Sequence, residues 1–200
     1  LRTPALMEYV EPNCHVVRDG EAIQALRRLV ALLALPLGIC LPLNDSCPDL
    51  DIAANRAEMA REKQGLESAL FRLSDRHQEM GTQAMKQLGL HRDAWYVTLH
   101  VREPSYRGET PENTTENWRN AKLLNYLKAC EAVTQAGGWV FRMGDPSTTA
   151  LSSNMPQVID YAHHEIRSDW MDIFLGATCR FLIGNGSGYH RVPGYFGVPS

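Results

Sequence analysis

Trp95-Tyr96-Val97-Thr98-Leu99-His100-Val101-Arg102-Glu103 is the stretch on which the fold turns. Its first seven residues are rich in aromatic and β-branched side chains, the composition that fits a pleated, packed surface. The run then passes directly into a charged pair, so a strand here delivers Arg102 to its own carboxyl end. Working toward the C-terminus, a polar loop with glycine and proline covers roughly 104–116. Helical spacing through Leu124, Leu127 and Val133 follows, over Ala121 to Ala136, until Gly137-Gly138 stops it. Trp139-Val140-Phe141-Arg142-Met143 reads as a second strand, closed by Gly144-Asp145-Pro146-Ser147. A short third strand is expected over Val158 to Tyr161, a helix over Asp169 to Cys179, and a fourth strand over Arg180 to Gly184. Strands alternating with helices argue for an α/β domain, a Rossmann-like parallel sheet with helices on both faces, spanning residues 91–200.

Working toward the N-terminus, the texture is helical. Ile23, Leu26, Leu29, Val30 and Leu33 keep helical spacing after Asp19 and stop at Pro36; Leu37 to Leu43 reads as a short buried strand, and Asn44-Asp45-Ser46-Cys47-Pro48 as a turn. From Asp51 to Leu88 an apolar stripe through Met59, Leu66, Leu70, Leu73, Met80, Ala84 and Leu88 predicts one long helix, or two with a break at Gly65 or Gly81. Lys63 and His77 fall within the stripe and argue against a coiled-coil seam, so packing on a domain is expected. Residues 1–90 therefore form a mainly helical region before the sheet. The apolar run Leu29 to Leu43 is short for a membrane span and is interrupted by Pro36, Gly38 and Pro42. The chain begins at Leu1 and stops just after an apolar, glycine-bearing stretch, so it reads as a piece of a longer protein.

Composition narrows the partners. In 200 residues, 44% hydrophobic content is enough for a sizeable core, and a net charge of −3 with both signs interspersed offers no basic field to a nucleic acid. The five cysteines, Cys14, Cys40, Cys47, Cys130 and Cys179, are widely spaced with no C-x-x-C, which predicts neither a disulfide framework nor a zinc site and makes a reducing cytoplasm the expected compartment.

Ligands of open α/β sheets bind outside the carboxyl ends of the strands, so Arg102, Asp145, His163 and Ser187 are the first candidates. An arginine there suits a diphosphate, because its planar fork can hold two oxygens while staying charged. In Gly184-Asn185-Gly186-Ser187-Gly188, small residues allow backbone N–H groups to approach an anion and Ser187 adds a hydroxyl donor. Asp172, taken on spacing alone, is a solvated acid in the first turn of its helix. Asp49-Leu50-Asp51 has the D-x-D form of a divalent-ion site but stands where a helix cap is expected. His163-His164-Glu165 has no third ligand at a zinc-like spacing. No metal and no cofactor is expected. Glu103, Glu116 and Asp145 are the candidate general bases.

His100-Val101-Arg102, Gly137 to Pro146, Asp160-Tyr161-Ala162-His163, Ser168 to Leu175 and Phe181-Leu182-Ile183-Gly184 together resemble a family of bacterial surface-polysaccharide glycosyltransferases. More distantly they are similar to the α1,6- and protein O-fucosyltransferases, inverting GT-B enzymes that use GDP-fucose without a metal. The resemblance covers about residues 90–200. It implies a GT-B-like donor domain in which Arg102 holds the donor diphosphate and His100 lies beside the nucleotide. It also implies that Asp172 reads a guanine edge and that Ser187, with Gly186, lies near the phosphates. Two departures stand out: Glu103 and Gly188 occupy places where the fucosyltransferases often carry a second arginine and a second serine. Residues 1–90 would be the remnant of an acceptor-side region and its connecting helix. The partners implied are a nucleotide-sugar, GDP-sugars favoured, and a glycan acceptor, at the cytoplasmic side of a membrane. A non-catalytic nucleotide- or sugar-binding module is the alternative.

Overall fold

The computed structural model describes residues 4–12, 20, 21, 25, 63, 69–103, 117–152 and 154–200. The chain divides into two compact units, one comprising residues 1–9 and 69–200, the other 10–68. The sheet belongs to the first. Gly20, Glu21 and Ala25 of the expected helix after Asp19 are helical; the rest of it, the strand at Leu37 to Leu43, the D-x-D at Asp49 and Asp51, and Glu116 lie outside the described residues.

Helix α1 (Pro4–Val10) and helix α2 (Asp75–Gln87) precede strand β1 (Tyr96–His100). Two 3-10 turns, Asn117–Arg119 and Leu123–Tyr126, lead into α3 (Leu127–Gln135) and β2 (Trp139–Met143). The short strand β3 (Val158–Ile159) runs into a 3-10 turn, Tyr161–His163. After it come α4 (Asp169–Thr178), β4 (Leu182–Gly184) and α5 (Arg191–Tyr195). The four strands form one parallel sheet in the order β3-β2-β1-β4.

Alternation along the strands divides the core in two. Tyr96, Phe141 and Met143 pack on one side with Ala84 of α2 and with Met171, Phe174 and Leu175 of α4. Val97, Leu99, Val101 and Val140 pack on the other with Cys130 and Val133 of α3, as the two-residue period requires. Both faces of the sheet are thus covered by helices, as expected, and each side chain of this size brings roughly 1.5–3 kcal/mol on burial. The rings of Tyr96 and Phe141 meet edge to face at 5.1 Å.

Several boundaries differ from the expectation for physical reasons. The stripe from Asp51 to Leu88 is not one continuous helix: residues 69–74 are non-helical, and α2 starts where the Ser74 hydroxyl accepts the His77 amide. Gly81 does not break α2. It stands where a Cβ would collide with the Phe174 ring, so glycine there lets α4 approach. His77 is buried with the Tyr9 hydroxyl 2.6 Å from its Nδ1, and burial is the main reason its pKa lies below the ordinary histidine value. It is a core histidine tying α1 to α2. Gly137, with φ +81°, ends α3 in a Schellman motif: its amide reaches the Thr134 carbonyl and that of Gly138 reaches Val133. No described helix is long and apolar enough to cross a membrane.

Candidate functional site

The register sets the geometry. His100 of β1 stands opposite Met143 of β2 on one side and Gly184 of β4 on the other, so the residues after these three leave the sheet at one edge. The connection β1 to β2 to β3 grows the sheet one way, while β4 returns to the far side of β1. That reversal is where the loops diverge and a crevice opens in an open α/β sheet. A Cβ at Gly184 would press on the His100 carbonyl oxygen, so glycine there lets β4 reach β1.

At the reversal, Asn185 ties three segments together. Its Oδ1 accepts the Arg102 amide at 2.7 Å, and its Nδ2 donates to the Arg119 carbonyl at 2.6 Å. The Arg119 guanidinium donates twice to the Gly186 carbonyl, at 3.1 and 2.7 Å. Ser187 Oγ lies 3.0 Å from His100 Nδ1, and His190 donates from its Nδ1 to the Ser187 carbonyl. The His100 ring stacks on Tyr189 at 5.4 Å, and the Tyr189 hydroxyl donates to the Asp172 carbonyl at 3.2 Å. Burial, with the nearby positive charge of Arg142, brings the His100 pKa down to about 4, so its ring is neutral at physiological pH.

Four of the expected site residues are therefore brought together: His100, Arg102 through its backbone, Gly186 and Ser187. Asp172 joins them through Tyr189. It is not the solvated acid that its spacing alone suggests: Oδ1 is buried with no hydrogen-bond partner, and burial raises the carboxyl pKa to about 6, with the Tyr161 hydroxyl and Arg167 pulling partway back. The protein buries one carboxylate oxygen of a half-buried residue without satisfying it, a pattern common at functional sites. Among the described residues, no steric contact requires Gly186 or Gly188 to be glycine. A Cβ at Gly188 would meet nothing within 4 Å, and one at Gly186 only Arg119 Nε at 3.9 Å.

Asp145 is placed differently. Its carboxylate accepts the Ser147 amide at 2.9 Å and caps the turn after β2, and that bond is the main reason its pKa lies below the usual carboxylate value. Glu103 is also committed. One oxygen takes Arg142 Nη2 at 2.8 Å and the Thr149 amide at 3.2 Å, and the residue is buried. Arg142 is the residue that the sequence reading passed over. It sits inside β2 with no exposed surface, its Nη1 3.2 Å from Asp160 Oδ1. An arginine inside an otherwise apolar strand is the signal that could have found it, since a buried charge has to bring its partners with it.

His163 Nδ1 lies 2.8 Å from Asp160, and His164 Nδ1 accepts the Ile166 amide. Among the described residues no group of three His, Cys, Asp or Glu side chains could hold a metal ion. Cys130 and Cys179 are free, buried thiols in the two core layers. Comparison of this chain with protein-family profiles, with curated proteins and with solved structures returns no match.

Proposed function

We propose that the loops at the β1/β4 reversal bind a nucleoside diphosphate sugar, and that the chain is part of a GT-B-like, Rossmann-type glycosyltransferase donor domain. The observation that carries the reading is the Asn185–Gly188 turn. Two glycines that no contact among the described residues requires flank Ser187 at the end of β4, the strand paired with β1, which leads into Arg102. Backbone N–H groups and a hydroxyl are donors that a diphosphate needs, and Arg102, whose amide is bonded to Asn185 of the same turn, would add its guanidinium. Asp172 supports a base-bearing ligand, since its buried, unpartnered Oδ1 suits the paired N–H groups of a guanine edge. GDP-sugars are therefore favoured, with Arg102 and the Gly186-Ser187 turn stabilising charge on the leaving diphosphate without a metal, in an inverting transfer to a surface-glycan precursor on the cytoplasmic side of the membrane.

A second reading, a nucleotide- or sugar-binding module without turnover, is favoured by one observation. Glu103 and Asp145, two of the three expected bases, are held in structural bonds. Thermal-shift titration with GDP, UDP and ADP in the presence of a chelator tests the binding that both readings share, because a ligand of the folded state raises its melting temperature. GDP should give the largest shift, and Gly188→Ala should fold like the parent and lose that shift. Sugar release from GDP-sugars by the full-length protein separates the two readings. No shift with any diphosphate removes both.

A further inference from the structure

Both ring nitrogens of His163 face acceptors. Nδ1 lies 2.8 Å from Asp160 Oδ2, and Nε2 lies 3.2 Å from the Pro146 carbonyl oxygen. Neither a carboxylate nor a carbonyl can donate, so both contacts are hydrogen bonds only when each nitrogen carries a proton. The neutral ring satisfies one and sets a lone pair against the other.

Charge points the same way. Asp160 is shared: Oδ1 takes the buried Arg142, which also holds Glu103, while Oδ2 takes both the Leu151 amide and His163. With a charged His163, two cations and two carboxylates balance around a guanidinium that no water reaches. With a neutral ring, one negative charge is left over. The other ionisable groups on the two segments that the ring joins are Asp145 on the turn after β2, and His164, Glu165 and Arg167 between β3 and α4; Arg167 Nε also donates to the Gly144 carbonyl at 3.3 Å. Asp145 is held below the usual carboxylate pKa by the Ser147 amide, so it titrates in more acid solution. The open side of the ring faces a groove lined by Leu88, Trp139, Pro156 and His164. The His163 side chain is 29% exposed, so protons reach it from solvent.

We propose that His163 is a proton-controlled latch: as the imidazolium it pins the Gly144–Thr148 turn, and with it Asp145, to the end of β3, and on losing its Nε2 proton it releases that turn. Pro146 supplies the carbonyl and Asp145 the cap of one turn, so the latch acts where β2 delivers its residues to the carboxyl edge of the sheet. Sign follows from geometry: the latch is closed while both ring nitrogens carry protons and opens when Nε2 has lost its own. It stands on these bonds alone and holds whether or not the loops at the β1/β4 reversal bind a nucleotide.

Nitrogen-detected NMR of the imidazole rings in the 15N-labelled full chain reads the protonation of each nitrogen directly. At the acid end of a pH series both His163 nitrogens should carry protons. Where the Nε2 proton leaves, the Ser147 and Thr148 amide resonances should move with the same midpoint. His163→Gln keeps a donor and has no imidazole ring, so the movement at Ser147 and Thr148 should vanish, with the His164 ring read in the same spectra as an internal control. A His163 ring with a single proton throughout overturns the latch. So does a turn that follows the same pH curve in His163→Gln, since His164 would then be responsible.

Discussion

Replacing Glu103 with alanine tests whether the buried ion pair is what holds the ends of β1 and β2 in register. The Arg142 side chain has no exposed surface and that of Glu103 only 8%, with Nη2 and Oε2 2.8 Å apart. Removing the carboxylate leaves a desolvated guanidinium with Asp160 alone and the Thr149 amide without its acceptor. Losing one partner of a buried pair costs about 3–5 kcal/mol, because the surviving charge stays buried. In a compact unit of this size, that lowers the melting temperature by roughly 10–15 °C. Arg142→Met alone should cost a similar amount, by orphaning Glu103. The double variant Glu103→Ala, Arg142→Met removes both charges of the pair, so neither is left buried against a missing partner. It should be less destabilised than the sum of the singles by roughly 2 kcal/mol or more. Urea melts of the four proteins close the cycle. A Glu103→Ala loss below about 1 kcal/mol, or strict additivity, is the behaviour of an exposed pair and would refute the reasoning.

Asp172→Asn should stabilise the ligand-free protein at pH 8 and weaken its binding of GDP. The folded carboxyl titrates near about 6, above the ordinary value of 3.8, so folding favours its neutral form. The resulting penalty, on the order of 2 kcal/mol, is present above pH 6 and relieved as pH falls toward 4, where the variant and the parent should melt alike. A gain that persists at pH 4 would contradict this. Arg102→Lys should melt within about 0.5 kcal/mol of the parent and transfer sugar roughly 100-fold or more slowly, because lysine keeps the charge and loses the fork. Parental turnover in a full-length Arg102→Lys variant removes the donor-site assignment. Gly81→Ala should destabilise by about 1–3 kcal/mol, overpacking at Phe174 outweighing the helix-propensity gain of about 1 kcal/mol; a stabilised variant would mean that α2 and α4 pack differently.

Local signals determined much of the sheet before any coordinates. Trp139–Met143 was legible to the residue, because an apolar run between Gly137-Gly138 and Gly144-Asp145-Pro146 has no other use for its backbone. The start of α4 and the stop of α3 were equally legible, since a dipole-favoured acid at Asp169 and a left-handed glycine at Gly137 are properties of a few adjacent residues. The gathering of His100, Arg102 and the Gly186-Ser187 turn followed from topology, because parallel strands send all their carboxyl ends to one edge. What tertiary structure alone decided is where each polar side chain is spent. Glu103 pairs with Arg142 across 39 residues of chain, and His77 meets Tyr9 across 68. Asp172 meets Tyr161 through its carboxyl and Tyr189 through its backbone carbonyl, neither of them adjacent in sequence. Burial and partnership are set by which segments arrive at the same place, and no window along the chain records that.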